Sequence, residues 1–203
     1  GQMSEQEADL NPMVELAYAH VPPFRPEPEM QRVRDAVAAL SKAKKPIIVA
    51  GGGVVKSGAQ SEVVALAEKL QIPVITTLHA KGTILDSHPL SVGVSGSYSR
   101  DCANTAMCEA DLVFFIGSTA GGMITHFWSF PPAGTPVIQL DINPSELGRN
   151  YPNVASIMGD AKVSLTRMIE VAQRKAPEET KVWTGRVQEL VAIAGLGGKL
   201  ITP

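Results

Sequence analysis

Residues 47–53 read IIVAGGG, four apolar residues in a row followed at once by three glycines. A strand with apolar side chains on both faces is typical of a parallel sheet, because helices cover such a sheet on both sides. Glycines directly after a strand allow a tight turn and a close approach of the backbone to a ligand or to another element. The stretch therefore predicts a strand of a parallel α/β sheet, with a glycine loop at its carboxyl end.

Strand and helix signals alternate along the rest of the chain. Apolar residues recur at helical spacing in four segments, at 33–40, 63–70, 103–110 and 165–172. Runs of strand length and composition lie at 47–50, 72–77, 91–94, 111–117, 136–141 and 154–158. Strands that alternate with helices of this length predict right-handed βαβ units. We therefore expect a Rossmann-like α/β fold, a three-layer sandwich with a five- or six-stranded parallel sheet.

Polar residues predict where three of the helices begin. Ser57 is followed by Gln60 three positions later, the pattern of a capping box. Ser99 and Asp160 are the predicted N-caps of two later helices. In this interpretation, the helix that begins at Ser57 directs the positive end of its dipole at the glycine loop.

Both ends of the chain differ in composition from its middle. Four prolines between residues 22 and 28 predict an extended segment, and residues 14–21 are expected to pair as an edge strand or to lie across the surface. We predict an N-terminal linker arm over 1–30, a central α/β domain over 31–175 and a C-terminal linker over 176–203. The C-terminal linker holds one amphipathic stretch and a glycine-rich end. Both linkers are expected to be tethers to neighbouring parts of a longer chain.

Composition and charge exclude several classes of function. The 203 residues include 18 basic and 20 acidic side chains, a net charge of −2, whereas proteins that bind nucleic acids or anionic membranes need a surplus of Lys and Arg. No apolar run approaches the roughly 20 residues that span a bilayer. Cys102 and Cys108 are placed on different faces of one predicted helix, and the four histidines lack the spacing of a zinc site. We therefore expect a cytoplasmic protein without a metal site of its own.

Ligands of open parallel sheets bind beyond the carboxyl ends of the strands, where the strand order reverses. Glycines in two of these loops let backbone N–H groups approach a phosphate. Aspartates after two other strands suit hydrogen bonds from a ribose or from an adenine amino group. The candidate cofactor-binding residues are Gly51, Gly52, Gly53, Thr77, Leu78, Gly117, Ser118, Asp141, Ile142 and Asp160.

The same segments also fit an interpretation without a bound ligand. Lys56 stands where the dinucleotide fingerprint G-x-G-x-x-G has its third glycine, and glycines after a strand also serve tight turns and helix packing. The sequence contains no nucleophile elbow, phosphate loop or zinc-protease motif, so we predict no catalytic residue. His79 and His126 are expected to serve structure or ligand packing. Trp128 and Phe130 are expected to cover a sheet edge or an interface, with stacking on a ligand ring as the alternative.

Several segments, taken in order, resemble one enzyme family. They are 45–54 (KPIIVAGGGV), 57–59 (SGA), 73–77 (PVITT), 86–90 (DSHPL), 109–117 (EADLVFFIG), 137–148 (VIQLDINPSELG) and 154–160 (VASIMGD). From about Pro46 to Lys162 the chain resembles the central domain of thiamine-diphosphate-dependent enzymes, in particular the acetolactate synthase group. Each motif alone is unspecific, but their common order and spacing are specific.

The resemblance implies a six-stranded parallel domain of the kind that binds FAD in acetolactate synthases. Oxalyl-CoA decarboxylases use this domain for the ADP part of a coenzyme, and several other decarboxylases leave it empty. FAD-binding members carry Gly-Ala-Arg and further charged residues where this chain has Gly117-Ser118-Thr119 and an uncharged continuation to Met123. The missing charged contacts favour an empty domain, with FAD, another adenine nucleotide or CoA as the alternatives.

In the whole enzymes of the family, thiamine diphosphate and Mg²⁺ lie between two other domains. The family's pyrophosphate motif begins Gly-Asp-Gly and ends in an Asn pair, whereas here Gly159-Asp160 precedes Ala161 and the sequence has no Asn pair. The resemblance thus implies a non-catalytic scaffold with a candidate nucleotide site, placed between pyrimidine- and pyrophosphate-binding domains. The parent would be a homo-oligomeric lyase or transferase, a decarboxylase or carboligase of 2-oxo acids. The alternative is a free-standing nucleotide-binding or regulatory module of the same fold.

Overall fold

The computed structural model describes residues 12–175 and 177–196, so the first eleven residues of the predicted arm and part of the glycine-rich end lie outside it. Its centre is a sheet of six strands: β1 Pro46–Ala50, β2 Val74–Thr76, β3 Ser91–Val94, β4 Leu112–Ile116, β5 Val137–Asp141 and β6 Asn153–Met158. Their spatial order is β3-β2-β1-β4-β5-β6, and each neighbouring pair is parallel. This is the doubly wound order of Rossmann-like domains, and it confirms the predicted fold.

Helices cover both faces of the sheet. They are α1 Met30–Lys42, α2 Gly52–Ser57, α3 Gln60–Leu70, α4 Asp101–Glu109, α5 Gly122–Thr125, α6 Ala161–Val171 and α7 Pro177–Leu196. Buried side chains of α1, α3 and α6 form one apolar core, and those of α4 and α7 form a second core on the opposite face. These are the three predicted layers. Within the described ranges, no helix is both long and apolar enough to cross a lipid bilayer.

The unbroken apolar run of β1 serves both cores. Ile48 and Ala50 belong to the core on the α1 face, whereas Ile47 and Val49 belong to the core on the α4 face. All five residues of the strand are buried. Successive side chains of a strand point to opposite faces, so each face of β1 needs its own apolar residues.

The chain winds outward from β1 in two directions. Ala50, at the end of β1, lies opposite Thr76 of β2 on one side and opposite Ile116 of β4 on the other. The segment after β1 then packs into the α1 face through Val54, and the segment after β4 packs into the α4 face through Ile124. Because these two segments diverge to opposite faces, a crevice opens between them at the carboxyl edge of the sheet.

The predicted helix start at Ser57 is wrong. Ser57 is instead the last residue of α2, a six-residue helix that begins within the glycine run, with Gly51 in extended conformation as its N-cap. The next helix, α3, begins at Gln60 without a side-chain cap. The Ser57 hydroxyl points elsewhere and donates to the Asp160 carboxylate at 2.8 Å. The helix dipole at the glycine loop is therefore that of α2.

The two later helix starts have different outcomes. Ser99 is not the N-cap of α4, because Arg100 takes that position. The Ser99 hydroxyl oxygen accepts a hydrogen bond from Asn104 Nδ2 at 2.8 Å instead. Asp160 is confirmed as the N-cap of α6, since its carboxylate accepts a hydrogen bond from the backbone N–H of Val163 at 3.1 Å.

The N-terminal arm forms no strand over residues 12–29, so the edge strand considered for 14–21 is wrong. The arm contains a single 3₁₀ turn at Leu16–Tyr18, and residues 12–20 are all exposed. An exposed segment that buries no side chain has nothing to offset the entropy lost on ordering a strand. Closer to α1 the arm does contact the domain, through Arg25 and the carbonyl of Pro26.

The C-terminal helix α7 packs against the domain. Trp183 is 2% exposed and belongs to the core on the α4 face. Its indole Nε1 donates to the carbonyl of Pro46 at 2.8 Å. The Arg186 guanidinium donates two hydrogen bonds to the Glu109 carboxylate of α4, at 2.6 and 3.0 Å. The proposed domain boundary at 175 stays a prediction, but α7 contributes to the core.

Both cysteines lie in α4 as free thiols. Cys102 is buried and Cys108 is exposed at the surface of the helix. Desolvation raises the pKa of both thiols above the ordinary value. Because the thiolate is the nucleophilic form, neither cysteine is activated for chemistry.

Trp183→Ala should lower the free energy of unfolding by about 3–5 kcal/mol, because a buried ring and its hydrogen bond are lost together. Trp183→Phe keeps most of the packing and should cost about 1–2 kcal/mol. Val182→Ala, at an exposed neighbour, is the control and should change stability by less than about 0.5 kcal/mol. Chemical denaturation followed by circular dichroism measures all three. Wild-type stability in Trp183→Ala would show that α7 is not part of the cooperative unit.

Candidate functional site

A cleft opens at the carboxyl edge of the sheet, at the point where the strand order reverses. Its walls are the start of α2, the turn after β2, the loop after β3 and the segment from β4 into α5. Its volume is about 770 Å³, which lies in the usual range for small-molecule sites. The cleft is therefore the candidate site of this domain.

Six of the ten predicted ligand residues line this cleft: Gly52, Gly53, Thr77, Leu78, Gly117 and Ser118. Gly51 directly precedes them as the N-cap of α2. Asp141 and Ile142 lie at the end of β5 and Asp160 follows β6, and these three are outside the lining. The structure thus groups the glycine loops with the turn after β2 and separates the carboxylates from them. The role of all ten as ligand residues stays a prediction.

Two glycines of the cleft are explained by contact between backbones. The N–H of Gly53 donates to the carbonyl of Gly117 at 2.9 Å. A Cβ on Gly53 would lie 2.7 Å from the Cα of Gly117, closer than real Cβ atoms come to backbone. Gly117 has a φ of +55°, a left-handed conformation that favours glycine. The fold itself requires these glycines, and the Gly53 amide is not available to a phosphate.

The cleft lining carries few ionisable side chains. In the described part of the chain they are Lys56, His79 and Tyr98, with no carboxylate among them. Covalent catalysis needs a nucleophile, a base and an orienting group in hydrogen-bond contact, and the lining offers no such set. Within residues 12–175 and 177–196, no group of three His, Cys, Asp or Glu side chains could hold a metal ion. The chemistry of the cleft suits binding and provides no acid–base pair.

Apolar side chains form the rim of the cleft. Leu78, Tyr98 and Met123 line it and are each more than half exposed, at 55%, 71% and 51%. Next to them, residues 126–128 form a left-handed turn with φ values of 47°, 53° and 62°. Non-glycine residues seldom adopt this conformation in succession, so the turn requires specific contacts to hold it.

Hydrogen bonds from Thr125 hold the left-handed turn. The Thr125 hydroxyl donates to the carbonyl of Gly121 at 3.0 Å and accepts from the N–H of Trp128, also at 3.0 Å. The His126 ring stacks on the Phe130 ring with centroids 5.9 Å apart. Phe130 belongs to the core on the α4 face, whereas Trp128 is 53% exposed. His126 therefore has a packing contact, and Trp128 leaves an aromatic surface beside the cleft.

Asp141 lies at the end of β5, beside Glu146. Its carboxylate accepts a hydrogen bond from the N–H of Asn143 at 2.9 Å. Partial burial raises the pKa of Asp141 above its ordinary value, and the charge of Glu146 adds to this shift while the Asn143 amide opposes it. Asp141 thus keeps capacity to accept a hydrogen bond, but outside the cleft lining.

Asp160 is engaged on all sides by the protein. Its side chain is 1% exposed, and it accepts hydrogen bonds from Arg25, Ser57 and Val163. This arrangement differs from the predicted role as an acceptor for a ribose or an adenine.

Sequence reasoning missed several residues of the cleft and of its surroundings. Ser95 and Tyr98 follow β3, so the rule that ligands bind at carboxyl ends of strands could have identified them. Met123 lies in α5, directly after the glycine loop that follows β4, so the same rule could have included it. Arg25 lies 135 residues from Asp160, a separation that local patterns do not reveal.

Comparison with known proteins shows which family this Rossmann-like domain resembles. Residues 33–168 match the model of the thiamine pyrophosphate enzyme central domain. A probable acetolactate synthase large subunit of Methanococcus aeolicus is 39% identical over 140 residues, 69% of this chain and 23% of that protein. The probable acetolactate synthase large subunit of Methanocaldococcus jannaschii is 30% identical over 190 residues, which cover 93% of this chain and 32% of that protein. The acetolactate synthase large subunit of Corynebacterium glutamicum is 34% identical over 176 residues, which cover 85% of this chain and 28% of that protein.

The chain therefore belongs to the thiamine pyrophosphate enzyme family, as its central domain. This confirms the resemblance found in the sequence. The chain spans about a quarter to a third of the length of these curated relatives.

Gly53→Ala should lower the free energy of unfolding by about 1–3 kcal/mol, because the new methyl group meets the backbone of Gly117. Gly185→Ala is the matched control, since a Cβ at this α7 position meets open space. It should raise stability by about 0.5–1 kcal/mol through the better helix propensity of alanine. Urea denaturation compares the two. If Gly53→Ala is as stable as the wild type, the backbone contact is not a constraint.

Asp141→Asn should raise the Tm near pH 7, because it removes a charge that burial and Glu146 disfavour. The native pKa of Asp141 lies above its unfolded value, so its ionisation weakens the native state as the pH rises from the unfolded pKa through the native one. The increase in Tm over the wild type should therefore shrink at about pH 3, where Asp141 is protonated in both the native and the unfolded state. Thermal unfolding at both pH values measures it, with Asp35→Asn, exposed on α1, as control. A gain independent of pH would contradict this interpretation.

Proposed function

We propose that this chain is the non-catalytic central domain of a thiamine-diphosphate- and Mg²⁺-dependent enzyme, a decarboxylase or carboligase of 2-oxo acids. The observation that carries the proposal is the match of residues 33–168 to the family's central domain, in a chain that covers only 23–32% of the relatives compared. The substrate class follows from the likeness to proteins named acetolactate synthase large subunits.

In this proposal the domain acts as a scaffold. Its described cleft lining contains Lys56, His79 and Tyr98 but no carboxylate, which supports a role without proton transfer. When bound, thiamine diphosphate supplies the carbanion-stabilising centre of such enzymes, and its site would lie between the two flanking domains of the parent. The residues of this chain would hold the linkers to those domains, through Arg25 on one side and Trp183 on the other.

The same proposal extends to the assembly and location of the parent. The flanking domains would bind the pyrimidine and the pyrophosphate of the cofactor, and the parent would be a cytoplasmic homo-oligomer. Its reaction would class it as a lyase if it decarboxylates, or as a transferase if it joins two substrates.

A second candidate function is a free-standing module that binds a nucleotide or regulates another protein. The cleft of about 770 Å³ at the switch point favours it, because nucleotides bind at this place in doubly wound folds. Under this alternative, the chain alone would bind a nucleotide and would need no thiamine diphosphate.

The parent enzyme should consume a 2-oxo acid only when both thiamine diphosphate and Mg²⁺ are present. The isolated chain should be inactive under the same conditions, because its cleft provides no acid–base pair. Release of CO₂ and formation of the ligated product measure the activity. Chelation of Mg²⁺ should abolish turnover, and added Mg²⁺ should restore it.

Two results would contradict the proposal. Turnover by the parent without thiamine diphosphate would remove it from this class of enzymes. Saturable binding of ADP by the isolated chain, with no 2-oxo acid consumed by any longer protein that contains it, would favour the free-standing module.

A further inference from the structure

We infer that Asp160 anchors the N-terminal arm to the domain instead of binding a ligand, and that the domain does not hold FAD. This departs from the nucleotide role expected for Asp160 and from the flavin that the likeness to acetolactate synthases implies. The inference rests on the geometry of the arm and the cleft. It does not depend on the reaction proposed for the parent, so either can fail while the other stands.

The anchor joins three segments that are far apart in sequence. Arg25 Nη1 donates to Asp160 Oδ1 at 2.9 Å and to the carbonyl of Ser57 at 3.0 Å. The Ser57 hydroxyl donates to Asp160 Oδ2 at 2.8 Å and accepts from the N–H of Lys162 at 2.9 Å. The N–H of Asp160 donates to the carbonyl of Pro26 at 2.9 Å. The arm, the end of α2 and the start of α6 thus meet at one carboxylate.

This carboxylate has little capacity left for a ligand. An ionised carboxylate offers about four acceptor positions, and Asp160 uses three of them for Arg25, Ser57 and Val163. Its side chain is 1% exposed. A ribose hydroxyl would have to displace the Arg25 guanidinium, which would leave a buried charge unpaired. Asp160 is therefore a structural anchor.

The described lining of the cleft offers few charged groups for the two phosphates of FAD. The Gly53 amide already donates to the carbonyl of Gly117. Residues 117–123 carry no charged side chain, and Lys56 is the one Lys or Arg in the described cleft lining. Each missing charge-assisted contact lowers affinity by about 10- to 150-fold.

Asp141 cannot replace Asp160 as the acceptor for a nucleotide in the cleft. It lies at the end of β5, outside the lining, and already accepts the N–H of Asn143. Asp141 thus bonds within its own loop and Asp160 anchors the arm, and neither completes a flavin site.

The test uses the full chain as wild type, Asp160→Asn and Asp141→Asn. Titration of the wild type with FAD, followed by flavin fluorescence, is expected to show no saturable binding. Asn caps a helix as well as Asp, so Asp160→Asn keeps the start of α6 and removes the ion pair. The amide of residue 160, which donates to the carbonyl of Pro26, should exchange several-fold faster in Asp160→Asn, relative to its intrinsic rate, and at the wild-type rate in the control Asp141→Asn. Nuclear magnetic resonance measures this exchange.

Arg25→Met removes the same ion pair from the side of the arm. It should accelerate exchange of the Asp160 amide to a similar extent, and it replaces Asp160→Asn if that variant fails to fold. Saturable binding of one FAD per chain would overturn the flavin part of the inference. Wild-type exchange in both Asp160→Asn and Arg25→Met would overturn the anchor. FAD binding that Asp160→Asn weakens, with the arm unaffected, would restore the ligand role.

Discussion

The backbones of Gly53 and Gly117 touch where β1 and β4 part, and this contact sets the geometry of the carboxyl edge. The Gly53 N–H bonds to the Gly117 carbonyl, and neither position has room for a Cβ. The contact fixes the start of α2 directly after β1. The short helix α2 has six residues, and an α-helix rises about 1.5 Å per residue. Its length therefore sets the position of its last residue, Ser57, which bonds to Asp160. A packing requirement at the cleft thus places the site that holds the arm.

The chemistry of the domain follows from how its polar groups are used. The Gly53 amide, the Ser57 hydroxyl and the Asp160 carboxylate all bond within the protein. The cleft keeps an apolar rim and few ionisable groups. In the proposed role, such a domain would stabilise and position its neighbours, and the reacting groups would lie elsewhere in the parent enzyme. This agrees with its membership of a family in which it is the central domain.

Sequence analysis succeeded where the signal is local and repeated. The apolar run of β1 predicted burial on both faces, because each of its two sets of alternate residues enters a separate core. The Asp160 cap of α6 depends on a neighbour three residues away. One error arose where a distant contact overrides a local pattern, because Ser57 resembles an N-cap but bonds to a carboxylate 103 residues later. The place of Trp183, on which the sequence made no prediction, depends on Pro46, 137 residues earlier.

The candidate site was predictable in outline but not in detail. The glycine loops and the turn after β2 were expected together, because carboxyl ends of parallel strands share one edge of the sheet. Periodicity does not reveal whether a loop amide is free or bonded, and the function of the site depends on that difference. Nuclear magnetic resonance measures this directly through the exchange of the Gly53 amide in the chain without added nucleotide. We predict exchange as slow as that of the amides within β1 and β4. Fast exchange that becomes protected only when a nucleotide is added would contradict the account.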